Sequence, residues 1–201
     1  MTGRVEDIAG LEALYGAVSE PAKFKVAPRL TPLYAKWIAR SRFCIVSTVG
    51  PEGTDASPRG DDGPVVEIAD PSTLLLPDWR GNNRLDSLRN IVRDGRVSLM
   101  FFVPGSGNVI RVNGTAYLSA DPALTARFEQ REKHPRTVIV TQVREVYSQC
   151  AKAILRAGLW SGEDQSEGLP TIGELLKEQR ADFDSDAYDL EWPDRAQQTL
   201  W

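Results

Sequence analysis

Residues Arg96–Val103 constrain the fold more than any other stretch of the chain. Read as a strand, the run places Val97, Leu99, Phe101 and Val103 on one side and Met100 and Phe102 on the other, because successive side chains of a strand alternate between faces. A strand that is apolar on both faces is covered on both. One cover is the interior of a closed or partly closed sheet. The other is a helix of the same chain or a second subunit.

The neighbouring sequence supplies partners for that strand. Phe43–Val49 is apolar and β-branched, Gly50-Pro51-Glu52-Gly53 is a turn, and Thr54–Arg59 returns as a second strand. Val65–Ile68 and Thr73–Leu76 are short strands around a break at Asp70-Pro71. Arg96–Val103 and Val109–Ser119 form a hairpin across Pro104-Gly105-Ser106-Gly107, and Thr137–Tyr147 is a last long strand. Helical spacing appears at Ile8–Val18, from Thr31 to Ser41, from Asn82 to Arg93 (Leu85, Leu88, Ile91 and Val92 on one side), from Asp121 to about Arg131, and from a Ser148 cap to Leu159. Ser19-Glu20-Pro21 and Thr31-Pro32 each read as an N-cap with Pro in the first turn. Thr171-x-x-Glu174 is a capping box before a short acidic helix. Irregularly spaced strands with inserted helices exclude a doubly wound sheet. The fold expected is mainly β (α+β), a closed or partly closed antiparallel barrel of about six strands with N-terminal, inserted and C-terminal helices.

With 201 residues the chain suits one domain with its own core. The expected layout is a helical extension over 1–41, the barrel over 42–162 and an acidic extension over 163–201. That last segment carries eleven acids against three bases, so a net charge of −4 conceals a basic body. A mildly basic body suits a small anion and is too weak for nucleic acid. Residues 1–10 lack the apolar block of a signal peptide, and no apolar run approaches the roughly 20 residues of a membrane span. The location expected is cytoplasmic. Two distant cysteines and one histidine argue against a disulfide scaffold, a zinc site and a Ser–His–Asp triad.

Three segments can carry chemistry. In Leu74–Ser87 an apolar strand runs into Gly81-Asn82-Asn83-Arg84 and a helix begins. A helix start attracts anions; Arg84 and Ser87 sit there as phosphate donors. The plainer alternative is a cap by Asn82 or Asn83 beside a solvated arginine. In Ser57-Pro58-Arg59-Gly60-Asp61, Pro58 marks a strand edge or end, and Arg59 either approaches a ligand or is an exposed hairpin residue. In Val109–Gly114, Arg111 and Asn113 share one face, and Arg111 either serves a ligand or pairs with a local carboxylate.

Together these pieces resemble the flavin-binding split-barrel superfamily of pyridoxamine 5′-phosphate oxidase, over roughly residues 40–120. The order of elements, Arg96-Val97-Ser98-Leu99 and Val112-x-Gly114 carry the likeness. The string Gly81-Asn82-Asn83-Arg84-Leu85-Asp86-Ser87-Leu88-Arg89-Asn90-Ile91 and Cys150-Ala151-Lys152-Ala153 with Leu159-Trp160 look specific to a subgroup of oxidase-like flavoproteins. The resemblance implies a six-stranded antiparallel split barrel with N-terminal, inserted and C-terminal helices, and a homodimer with FMN at the subunit interface. By position, Arg59 and Arg84 match arginines that hold the FMN phosphate, and Asn83 stands where the family has a Ser. Pro77, Asp78 and Trp79 match the strand end along the flavin ring. Val109 stands where the oxidase often has a Gln, and Arg111 shares its face and substitutes for it. Ser87 as a phosphate ligand rests on helix geometry.

The function expected is an FMN-dependent oxidoreductase acting on an unknown small substrate. Arg111 and Lys152 would stabilise an anionic reduced ring, and Trp160 would wall the substrate pocket. As alternatives, Lys152 is a snorkelling helix residue and Trp160 a core or interface anchor. At the level of function the alternatives are a flavin- or haem-binding carrier or sensor without turnover, and a deazaflavin-dependent reductase. Glu191-Trp192-Pro193-Asp194 departs from the basic end of the true vitamin B6 enzyme, so pyridoxamine phosphate oxidation is not carried over. Tyr188, Trp192 and Trp201 either dock the acidic extension on the body or belong to a loose, solvated tail.

Overall fold

A computed structural model describes residues 3–201; Met1 and Thr2, the head of the segment read as lacking a signal peptide, lie outside the described residues. Seven strands form one antiparallel sheet: β1 (Phe43–Gly50), β2 (Gly53–Gly60), β3 (Glu67–Asp70), β4 (Thr73–Asp78), β5 (Arg96–Phe102), β6 (Val109–Ser119) and β7 (Thr137–Gln149). Their order is β2-β1-β5-β6-β7-β4-β3. The expectation of six strands is corrected to seven, and the backbone ladder is open. The short strand expected at Val65–Ile68 forms two residues later as β3, a hairpin partner of β4 whose register slips between Ile68 and Asp70. Although four strands lie between them, β2 and β4 meet through side chains: Arg59 is ion-paired with Asp78, and Trp79 Nε1 donates to Asp61 Oδ2 at 2.7 Å. Such contacts require the sheet to curl, so its gap is bridged by side chains where a closed barrel would have backbone bonds.

The curled interior holds the core. Val46, Leu99, Phe101, Val112 and Val146 are buried there, joined by Leu74, Leu76 and Ile139. Val97, Leu99 and Phe101 are buried as expected, while Val103 falls past the end of β5 in a turn closed by Ser106 N–H donating to its carbonyl at 2.9 Å. On the opposite face Met100 and Phe102 stay half-buried; Phe102 meets Phe43 at 5.9 Å between ring centroids, and Phe43 is 40% exposed. At β4 and β7, by contrast, Leu75, Val138 and Val140 pack with Leu124 and Phe128. Gly114 sits at the bulge of β6 against β7, where a Cβ would collide with the Gln142 carbonyl.

Helices close the ends of the curl. In α3 (Pro32–Ile38) the Thr31 side chain accepts from Tyr34 N–H at 3.3 Å, and Ile38 is fully buried. The preceding α1 (Ile8–Ala13) ends well before Val18, and α2 (Glu20–Phe24) has Pro21 in its first turn without a side-chain cap from Ser19. The helix expected from Asn82 begins four residues later, as α4 (Asp86–Arg93), because Asn83 and Leu85 both adopt left-handed backbone, with φ of 61° and 63°. Leu88 and Ile91 are buried; Leu85 and Val92, expected on the same side, are exposed. The helix expected over 121–131 is one turn, α5 (Pro122–Thr125). Ser148 caps nothing, since it belongs to β7, and α6 (Lys152–Ala157) follows. The capping box at Thr171 opens α7 (Ile172–Gln179) as expected. The polar, acidic segment after Asp184 forms the longest helix among the described residues, α8 (Ser185–Thr199). No helix among the described residues is long and apolar enough to cross a membrane.

Candidate functional site

The site lies where β2, β4 and the start of α4 face one another. Along β2, Asp55, Ser57 and Arg59 alternate inward and are half-buried, while the residues between them are exposed. Pro58 is tolerated because β2 pairs with β1 alone and its other edge is free. Across the gap, β3 pairs with β4 only as far as Leu75. Pro77 and Asp78 therefore end β4 with one edge unpaired. The Arg59 and Asp78 side chains, 19% and 15% exposed, meet in that gap. Arg59 Nε is buried and has no hydrogen-bond partner. Thus Asp78 uses only part of what the guanidinium can donate.

Sequence also fixes how α4 reaches the site. Asn82 Oδ1 accepts from Arg84 N–H at 3.1 Å, a local turn that replaces the expected helix cap. Asn90 is buried and donates to Thr48 Oγ1 at 3.1 Å. Gly50 leaves no room for a Cβ beside the Asn90 side chain. Ser87, buried, donates to the Asp55 carboxylate. These three attachments hold the first turn of α4 against β1 and β2, with its free backbone N–H groups at the gap. Arg84 is exposed, and its Nε donates to Asp86 Oδ2 at 2.8 Å, a bond that raises the guanidinium pKa.

The result is a groove of about 1040 Å³ lined by Arg59, Asp78, Trp79, Asn83, Arg84 and Ser87 among others. Its lining carries seven arginine or lysine side chains and three aspartates. On a chain of net charge −4 that is a local reversal of sign, and it favours an anion. Pro77 lines an adjoining cavity of about 430 Å³ that shares Arg59 and Trp79 with the groove. Trp201, 8% exposed, stands at the groove edge with its ring 5.3 Å from that of Trp79.

The other four sequence-predicted residues stand elsewhere. Val109 pairs with Gln149 at one end of β7, whereas Asp78 pairs with Thr137 at the other end. Arg111 lies over the Tyr147 ring at 5.3 Å and reaches Gln149 Oε1 at 3.4 Å; the nearby carboxylate, Glu145, takes Asn113 Nδ2 at 2.6 Å. Arg111 Nε is likewise buried without a partner. Lys152 is exposed at the start of α6, and Trp160 Nε1 donates to the Ser106 carbonyl at 2.8 Å. The structure thus gathers Arg59, Asp78, Trp79, Asn83, Arg84 and Ser87 in one groove, with Pro77 beside it. It leaves Val109, Arg111, Lys152 and Trp160 outside.

Several groove residues escape a sequence reading. Asp55 had a usable signal, its two-residue spacing from Ser57 and Arg59 in a strand. Asp61, which ends the segment singled out with Arg59, lines the adjoining cavity, and its role is set by distant partners: it anchors Trp79 and also accepts from Gln130 Nε2 at 2.8 Å, a contact spanning 69 residues. Lys133 and Arg136 enter the groove lining from the loop before β7.

Comparisons with known proteins agree on the architecture. The chain shares 17% identity with HupZ of Group A Streptococcus; the match covers 60% of this chain and 94% of that one, with a TM-score of 0.50. It matches General Stress Protein 26 of Bacillus anthracis over 57% of this chain and 88% of that one, at 17% identity and a TM-score of 0.42. An F420 reductase matches over 60% and 98%, at 19% identity and a TM-score of 0.43. At these identities the likeness concerns fold alone. No curated protein matches the chain. The family model described as pyridoxamine 5′-phosphate oxidase matches residues 30–150, a span that takes in every strand of the sheet together with α4. By that match, the chain belongs to the pyridoxamine 5′-phosphate oxidase family.

Proposed function

We propose that this protein binds FMN as a homodimer and is an FMN-dependent oxidoreductase for a small substrate. The observation that carries the reading is the convergence of Arg59, Arg84, Ser87 and the first turn of α4 on one basic groove. The donor set fits a phosphate monoester: two guanidinium groups and free helix N–H groups, with the Ser87 hydroxyl, donated to Asp55, tying the helix start to β2. The orphaned Arg59 Nε is a donor waiting for an acceptor. In this reading Arg59 and Arg84 hold the phosphate, Ser87 and Asn83 border it, and Pro77, Asp78 and Trp79 lie along the ring.

FMN, when bound, supplies the capacity to take and return electrons. The chain's own residues bind and orient it. Trp79 and the buried end of β4 exclude water from one side. Val109, Arg111, Lys152 and Trp160 are far from the groove of their own chain, so in this reading they come to a groove from the second subunit. There Arg111 and Lys152 bring positive charge to the ring and Trp160 walls the substrate. The half-buried Met100 and Phe102 supply an apolar face for that second subunit.

The test is the visible spectrum of the purified protein and of Arg84→Ala. A yellow protein bleached by a nicotinamide nucleotide supports the enzyme. Loss of a charge-assisted hydrogen bond typically costs about 1.5–3 kcal/mol, so Arg84→Ala should bind FMN roughly tenfold to a hundredfold more weakly while remaining folded. Full FMN occupancy in Arg84→Ala overturns the phosphate assignment. A colourless protein that takes up a deazaflavin reversibly overturns the choice of FMN.

A further inference from the structure

The acidic α7–α8 hairpin is built as a unit of its own. Asp189 on α8 accepts from Gly173 N–H at 2.9 Å and from the Thr171 hydroxyl at the head of α7. Tyr188 stacks between Phe183 and Trp192, with ring centroids 5.4 and 6.4 Å away, and Arg195 lies over Tyr188 at 4.3 Å. Trp192 is 50% exposed and stays within this cluster.

The ties to the body lie at the far end. Among the described residues, the hydrogen bonds and ring contacts that join the hairpin to the sheet all fall on residues 197–201. Arg131 donates to the Gln197 carbonyl at 3.3 Å, and Lys133 Nζ to the Trp201 carbonyl at 2.9 Å. A helix end leaves carbonyls unsatisfied and attracts cations. Here α8 has no basic residue in its own last turn, and the body supplies Arg131 there, with Lys133 holding Trp201 just past the helix. Both come from one tight turn, Gln130–Lys133, whose central residues Arg131 and Glu132 have φ of 50° and 62°. Left-handed backbone is costly in non-glycine residues and is held by its surroundings. Gln130 in the same turn is held by Asp61. One turn therefore connects the hairpin end to the groove wall through Asp61 and Trp79.

We propose that the end of α8, with Leu200 and Trp201 that follow it, is a gate on the groove, latched by Trp201 against Trp79, by Arg131 on the Gln197 carbonyl and by Lys133 on the Trp201 backbone oxygen. The latch sits at the mouth: Trp201 lines the groove and Leu200 the adjoining cavity. The rest of the hairpin keeps its own caps and stacking when the latch opens, so opening leaves the sheet intact. With eleven acids and three bases over residues 163–201, the closed hairpin also sets negative charge beside a basic groove and slows the approach of an anion. The gate rests on the groove being the ligand site proposed above.

The experiment has two arms. In the first, with no ligand, hydrogen exchange is compared between the wild type and Trp201→Ala. Faster exchange is expected in residues 195–201 and in the groove wall at 78–87, with the remaining strands unchanged. In the second, FMN association and release are followed by the quenching of its fluorescence. A ring contact of this kind, with the burial it brings, supports a change of roughly tenfold, so both rates should rise by about that factor while the equilibrium affinity moves less. Lys133→Met should act in the same direction more weakly, and it keeps the test alive if Trp201→Ala is poorly folded. Unchanged exchange overturns the latch whatever binds in the groove. A rise in the release rate alone makes Trp201 a wall and overturns the gate. If the wild type takes no FMN, the proposed function fails, and the exchange arm still decides the latch.

Discussion

Cys44 and Cys150 show how much a residue's surroundings set its chemistry. Cys44 sits in the core on β1, and burial pushes its thiol up to about 12, against an opposing pull from Arg59. Burial disfavours the thiolate, and the thiolate is the reactive form. Cys150 is exposed just past β7. Ellman's reagent at pH 8 should therefore label one thiol per native chain and two after denaturation. Rapid labelling of both in the native state would contradict the packing around Cys44. Arg59 belongs to the same neighbourhood, since Cys44 and Arg59 are register partners across β1 and β2. Its charge is thus anchored next to the core, while Arg84, on the exposed turn, is free to follow a ligand.

Among the elements, α4 does most to shape the groove, and its seat depends on Gly50 and Asn90. A Cβ at Gly50 would strike the Asn90 side chain, which is fixed by its bond to Thr48. Overpacking of this kind typically costs about 1–3 kcal/mol. Gly50→Ala should therefore lower the melting temperature and weaken phosphate binding together. In an Asn90→Ala background the same change should cost little, because the obstructing amide is gone. Equal losses in the two backgrounds would show that Gly50 matters for some other reason. The start of α4 also explains a limit of sequence reading. Asn-Asn-Arg-Leu before a helical stripe reads as a cap, yet left-handed backbone at Asn83 and Leu85 delays the helix to Asp86. Nothing local to Leu85 announces a positive φ, since the conformation is imposed by where the strand must end and the helix must lie.

For the whole molecule the question is assembly. One chain places Asp78 and Val109 at opposite ends of the thirteen-residue β7. It also leaves Met100, Phe102 and Phe43 incompletely covered. In the proposed reading, a two-fold dimer would answer both facts with one interface. Light scattering at micromolar concentration should give twice the 22.2 kDa chain mass. Mixing Arg84→Ala with Arg111→Ala chains should restore FMN binding in part, because a shared site regains one intact copy in each heterodimer. Failure of that complementation, with dimers present, would separate the interface from the flavin site.

The sequence by itself determined the strand-rich body, the hairpins at Gly50–Gly53 and Pro104–Gly107, the caps at Thr31 and Thr171, and the residues that carry the family likeness. Each of these is a local matter of alternation, turn chemistry or a motif read along the chain. Only the tertiary structure decided that all seven strands join one sheet and that its backbone ladder stays open. It alone brought Arg59 to Asp78, Trp79 to Asp61, and Trp201 to the groove. Those contacts join residues far apart in sequence, and their partners are selected by how the sheet curls. No pattern along the chain encodes that curl at any one position, because it arises from the packing of all its strands around one core.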